Sequence, residues 1–189
     1  MIEHLYDLLK VSHATQKENL VYSYVVFDGV KHPTLWNKLS KSSLMYSTLF
    51  KEKKLQNELK EVAPYLVKLD FSKEKSLLES KNILKYYEKE EMMFINSFLS
   101  FKEQLAQLQE IFYVVDSEKK VEAYFRFYDS LIFETLLEMS KKDFLEKLFF
   151  ATKSILYKNS TNTDSVVQCT FNENTLHTKL IDLKKKREK

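Results

Sequence analysis

Gly29 is the only glycine among 189 residues, and that scarcity bounds the architecture before any pattern is read. Phosphate-cradling loops and dinucleotide fingerprints need several glycines, because the backbone must approach its ligand closely. Neither can be built here. The Gly-x-Ser-x-Gly elbow of the α/β hydrolases is excluded on the same count. The one glycine follows Asp28 at the end of Tyr22-Ser-Tyr-Val-Val-Phe-Asp28, a run apolar on both faces. It reads as the turn that ends a central, two-sided buried strand.

Apolar residues make up 44% and aromatics 14%, enough for a real core in one domain. Cys169 is the sole cysteine, so an intrachain disulfide and a cysteine-rich metal site are ruled out. His4, His13, His32 and His177 are scattered, with no pair at ligand spacing, so neither a metal nor a cofactor is expected. The net charge is +3, and Lys184–Lys189 alone supplies five positives and one negative, +4. The rest of the chain is then 3 − 4 = −1, which argues against nucleic acid as a partner of the body. The first ten residues carry acids where a secretory leader carries bases. No apolar run nears the roughly 18 residues that span a bilayer, so no membrane partner is expected. The expectation is a soluble, cytoplasmic protein, with one domain over residues 1–181 and a basic tail over 182–189.

Periodicity predicts strands at Val21–Phe27, Met45–Leu49, Tyr65–Leu69, Ile155–Tyr157 and Val166–Phe171, while Met92–Leu99 alternates less cleanly and reads as strand or helix. Between them fall helical patterns: one opened by Pro33, a short one stopped by Pro64, and a Lys/Glu-rich one from Ser72 to about Glu90. Ser100-Phe-Lys-Glu103 is a capping-box pattern opening a fourth, and two more follow Asp129 and Ser140. Tyr113–Val115 and Val121–Phe127, joined through Asp116-Ser-Glu-Lys119, read as a hairpin. The tail after Leu180 reads as frayed helix or disordered. The order predicts an α/β layered domain, a central mixed sheet flanked by helices, with a strand–helix–strand crossover around Pro33.

Ala123-Tyr-Phe-Arg-Phe-Tyr-Asp129 sets one arginine among four aromatics. Read as a strand, it puts Ala123, Phe125 and Phe127 on one face and Tyr124, Arg126 and Tyr128 on the other. Arg126 then lies under partial cover and needs an acidic or carbonyl partner. Asp129 is placed to cap the following helix. Asp28 has two readings: a pocket acid with His32 one loop away, or a group that satisfies turn amides or pairs with Arg126. Arg126 with Asp129 is read as an internal clamp or as a fork for a partner's carboxylate. Cys169, Trp36 and the Met92-Met-Phe94 run read as core.

Three blocks in order, the strand ending in Asp28-Gly29, Ala63-Pro-Tyr-Leu66 and Arg126-Phe-Tyr-Asp129, resemble a family of bacterial adaptor chaperones of the type VI secretion system. The resemblance covers roughly Leu20 to Phe150. It implies a binding protein and no enzyme. Its partners would be the N-terminal segment of an effector toxin and the valine–glycine-repeat spike protein onto which that cargo is loaded. Asp28, His32, Tyr65, Arg126, Tyr128 and Asp129 form the candidate set, as partner contacts or as a structural clamp. Two rivals stand beside this reading. One is a small-molecule enzyme with a pocket around Asp28, His32 and Arg126; the other is a nucleic-acid module working through the lysine tail.

Overall fold

The computed structural model describes residues 1–14, 20–88, 92–115, 122–162 and 164–184. In chain order the elements are α1 (Ile2–Ala14), β1 (Tyr22–Asp28), α2 (Leu35–Leu39), β2 (Tyr46–Thr48), α3 (Lys53–Glu58), β3 (Pro64–Leu69) and α4 (Glu74–Leu84). A 3₁₀ turn at Lys85–Glu88 leads to β4 (Met93–Ser97), α5 (Phe101–Phe112), β5 (Tyr113–Val115) and β6 (Glu122–Tyr124). The chain continues through α6 (Ser130–Met139), α7 (Lys142–Leu148), β7 (Thr152–Lys158), β8 (Ser165–Asn172) and β9 (Thr175–Asp182). The expected connection Asp116–Lys119, Val121, the acids Glu90 and Glu91 and tail residues 185–189 lie outside the described residues.

Seven strands form one sheet in the order β2-β3-β1-β4-β7-β8-β9, and β5-β6 is a separate hairpin. The layered α/β architecture is as the sequence predicts. Every pairing in it is antiparallel, however, where a mixed sheet was expected. The reason is interleaving. β1 and β2 do run the same way around α2, but β3 pairs between them. In the same manner β1 pairs between β3 and β4. Two crossovers that would make parallel neighbours are each filled by an antiparallel strand.

β1 shows why it sits at the centre: six of its seven residues are buried, on both faces. A polar seam ties it to its neighbours. Ser23 Oγ donates to Asn96 Oδ1 at 2.8 Å, and Asn96 Nδ2 donates to Ser154 Oγ at 3.0 Å, across β1, β4 and β7. On one side α1 lays Leu5 and Leu9, both fully buried, against the sheet. Burial of each is worth about 1.5–3 kcal/mol. Helix α5 starts with the anticipated capping box: Ser100 N–H and Oγ both donate to Glu103, at 2.9 and 2.6 Å.

Two elements depart from the sequence reading. α1 was not anticipated at all. Over 181–184 the chain departs from the expected frayed helix or disorder: Ile181 and Asp182 complete β9, and Leu183 is buried. Met92, Met93, Phe94 and Cys169 are buried core, and Trp36 packs partly buried against it. No helix is long and apolar enough to cross a membrane among the described residues.

Candidate functional site

The three sequence blocks meet in space, at the C-terminal end of β1. Register aligns Asp28 with Pro64, so β1 ends where β3 begins. Gly29 N–H donates to the Ala63 carbonyl at 3.0 Å. A Cβ at position 29 would sit 2.4 Å from that carbonyl oxygen and 2.8 Å from the Val62 carbonyl carbon. Gly29 has no positive φ. The lone glycine is therefore required by close approach, which joins the first block to the second.

The third block arrives from 98 residues away. Arg126 Nη2 donates to Asp28 Oδ2 at 2.6 Å, while Asp28 Oδ1 accepts from Val30 N–H at 2.9 Å. Asp28 is 6% exposed, so both of its oxygens are engaged in a nearly water-free setting. A second ion pair runs the opposite way: Lys31 Nζ lies 3.6 Å from Asp129 Oδ2. The loop after β1 and the turn before α6 thus exchange an acid and a base in each direction. Both readings of Asp28 as a structural group, satisfying a turn amide and pairing with Arg126, are met by one side chain.

The side chains of Arg126 and Asp129 pair with Asp28 and Lys31 rather than with each other. The two residues meet through the backbone, where Asp129 N–H donates to the Arg126 carbonyl at 3.1 Å. The block is not a continuous strand; the ladder with β5 ends at Tyr124, and residues 127–128 form a turn. The turn buries the adjacent Phe127 and Tyr128 together, where a strand covered on one face would bury only one of them. Asp129 then stands at the N-cap of α6, with Oδ1 accepting from Leu131 N–H at 3.2 Å and from Ile132 N–H at 3.5 Å. The Tyr128 phenol is pushed above the ordinary range by burial, and after it by the Asp28 carboxylate, against a smaller lowering by the neighbouring Arg126. It stays a neutral partner of the guanidinium.

Tyr65 is a buried strut. Its ring stacks on Phe27 at 5.8 Å and its hydroxyl donates to the Lys60 carbonyl. Burial, with a smaller contribution from Tyr46, raises its phenol pKa. The buried His32 ring stands edge-on to Phe27 at 5.6 Å and to Tyr86 at 5.8 Å. The helix after Pro33 begins only at Leu35, with Thr34 as its N-cap. All six candidate residues therefore belong to one junction, with Asp28, Arg126 and Tyr128 in mutual contact and His32 and Tyr65 packed on Phe27.

An open apolar groove lies beside the junction, next to it in sequence through Phe125. Ile111, Val114, Phe125, Leu136 and Phe144 line a cavity of about 410 Å³ between α5, β5, α6 and α7. Glu110 and Lys147 stand at its rim, paired at 3.3 Å. Phe125 is the residue before Arg126, and its N–H donates to the Phe112 carbonyl at 2.7 Å. Tyr124 stacks on Phe112 at 5.1 Å beside Phe50 and Tyr113. The groove residues escaped the sequence reading, since each looks like core in its own helix or strand. The only available signal was Phe125 inside the arginine block.

Two larger cavities lie elsewhere. One, of about 620 Å³, opens at the other end of β1 and β3 and includes Tyr22, Lys68 and Asp70. The other, of about 480 Å³, lies between α2 and α4. None of the three is lined by Asp28, His32 or Arg126. Among the described residues, no three His, Cys, Asp or Glu side chains gather as a metal site would require.

No curated protein and no solved structure matched the chain. A family model described as Domain of unknown function (DUF4123) matches residues 23–146, which takes in all three blocks and the groove up to Phe144. The match spans well over half of the chain, so the protein belongs to this family, which is associated with effector adaptors of type VI secretion.

Proposed function

We propose that this protein is a non-catalytic adaptor that holds the N-terminal segment of a type VI effector in the groove beside the Asp28–Arg126 junction and delivers it to the valine–glycine-repeat spike protein. The observation that carries the reading is the groove itself. Five apolar side chains face an open channel with an ion pair at its edge, the surface an amphipathic segment needs for its apolar stripe. The family association supplies the class of cargo. On this reading the charged junction serves recognition by setting the groove's shape: Arg126 holds the turn that presents Phe125, and Asp129 caps the helix that presents Leu136. Asp28, His32 and Arg126 line none of the three cavities described, which favours the adaptor reading over a small-molecule pocket.

The test is co-purification and calorimetric titration with the N-terminal region of a cognate effector. Phe125→Asp and Leu136→Asp are expected to weaken that binding more than tenfold while the thermal midpoint changes little. Unchanged affinity in both variants would move the cargo site elsewhere. Binding of the spike protein by the adaptor–effector complex, but not by the effector alone, is the expected sign of delivery.

A further inference from the structure

We infer that β9 is a dimerisation edge, and that two copies of this chain pair β9 to β9 antiparallel about a two-fold axis at Thr178, joining their sheets into one. The two edges of the sheet are treated differently. One is β2, three residues long, and so short an edge offers little to a foreign strand. The other is β9, eight residues without proline or bulge, with β8 on one side only.

Its open groups can be assigned. The turn between β8 and β9 has two residues, Glu173 and Asn174, with φ of 50° and 62°. That is a type I′ hairpin turn, whose flanking pair Asn172–Thr175 exchanges both backbone bonds. Alternation then turns Thr175, His177, Lys179 and Ile181 towards β8. The next residue of that parity agrees, since Leu183 N–H donates to the Asp164 carbonyl at 2.9 Å. Leu176, Thr178 and Leu180 therefore aim N–H and C=O away from the sheet.

These groups are self-complementary. A two-fold axis perpendicular to the sheet keeps each side chain on its own face, so it must pass through a residue and not between two. Centred on Thr178, Leu176 meets the partner's Leu180, Thr178 meets the partner's Thr178 and Leu180 meets the partner's Leu176. All three are outward-facing positions, so each pair exchanges two backbone bonds. Lys179 falls opposite the partner's His177, so neither lysine nor aspartate meets its own kind. Centring on Leu180 shortens the overlap from Thr175–Ile181 to Thr178–Asp182.

The side chains favour the same arrangement. Leu176, Thr178 and Leu180 share a face with their cross-strand partners Phe171, Cys169 and Val167. That face is apolar and continues inward, where Phe171 stacks on Phe149 at 5.9 Å. It ends at Leu180, which is 58% exposed. The partner's Leu176 would lie directly beside it.

Sedimentation velocity from about 1 µM to about 1 mM tests the pairing, with a reversible monomer–dimer equilibrium expected in that range. Thr178→Pro removes an outward N–H and no bond to β8, so it is expected to raise the dimer dissociation constant more than tenfold with little change in melting temperature. Thr178→Cys decides the register, and still decides the question if the proline variant fails to fold. Self-paired positions stand about 5.5 Å apart at Cα, within disulfide reach, so mild oxidation should link copies through 178. Lys179→Cys should link poorly, because position 179 does not face itself, and Cys169 is buried. A monomer throughout the range, or linkage at 179 in preference to 178, would overturn the pairing. So would a monomer whose Thr178→Pro variant loses effector peptide, which would identify the edge's occupant as a cargo strand.

Discussion

Arg126 Nη2 lies 2.6 Å from Asp28 Oδ2, although 98 residues separate them, and the two ends of this bond differ sharply in exposure. The Asp28 side chain is 7% exposed and that of Arg126 is 46% exposed. Removing the arginine leaves a buried carboxylate, whereas removing the carboxylate leaves a guanidinium that water can reach. The asymmetry predicts that Arg126→Ala costs about 1–3 kcal/mol, the penalty for an unsatisfied buried group tempered by solvent at the arginine end. For a chain of this size that lowers Tm by roughly 3–10 °C. Asp28→Asn should cost less, and the double mutant should show a coupling of at least about 0.5 kcal/mol. Additive losses in thermal melts would show that the contact does not act as a clamp.

The companion pair gives a contrasting expectation. Lys31 and Asp129 stand 3.6 Å apart, at side-chain exposures of 32% and 21%. Lys31→Ala should therefore change stability by no more than about 0.5–1 kcal/mol. Asp129→Ala should cost more, about 1–2 kcal/mol, because it also strips the cap from α6. Denaturant titration of the two variants separates charge pairing from capping. Equal losses would contradict the assignment.

Most of the sheet was legible because its strands are buried on both faces. Val25, Val26, Leu66 and Val67 leave no other reading of their segments, whereas Phe94 and Ile95 lie in a run open to strand or helix until it pairs with β1 and β7. The demand of Arg126 for an acid was legible too, since a guanidinium among aromatics must be satisfied. Its choice between Asp28 and Asp129 was not. The nearer acid is committed to the amides of α6, a competition that only the fold resolves. The hairpin was over-extended to Phe127 because aromatic alternation persists through a turn where the hydrogen-bond ladder has already stopped. β9 was lost for a related reason. As an edge strand it keeps Thr175, His177, Thr178 and Lys179 in solvent, so its period carries little apolar signal. The insertion of β3 between β1 and β2 is a long-range choice with no local marker.

Gly29 makes the sharpest steric prediction. Its missing Cβ would lie 2.4 Å from Ala63 O, a backbone atom held in place by β3. Gly29→Ala must push β1 and β3 apart at the junction, at a cost of about 3 kcal/mol or more, the upper end of the usual overpacking range, because the atom in the way is backbone. Soluble yield and Tm should both fall more than for Arg126→Ala. A variant as stable as the parent would mean that the two chain ends are farther apart than described.

Asn96 is predicted to act as a register pin. It is fully buried between Ser23 and Ser154, with its carbonyl and amide each used. Asn96→Leu leaves two buried hydroxyls to find other partners and adds apolar bulk, so a loss of about 2–4 kcal/mol is expected. Ser154→Ala removes one acceptor and should cost about 1–2 kcal/mol. Chemical denaturation should keep its slope in both, since the surface exposed on unfolding barely changes.

Cys169 reports on the whole sheet. It is buried in β8, and burial, only partly offset by its hydrogen bond with Tyr157, pushes its thiol up to about 12. The attacking species is the thiolate, so near neutral pH the folded protein offers almost none of it and little access besides. A thiol reagent at pH 8 should therefore modify Cys169 only as fast as the sheet opens. The rate should be independent of reagent concentration when reclosing is slow, and should rise steeply with denaturant. Rapid labelling proportional to reagent under native conditions would place the thiol at the surface and break the assignment of β8 to the interior of the sheet.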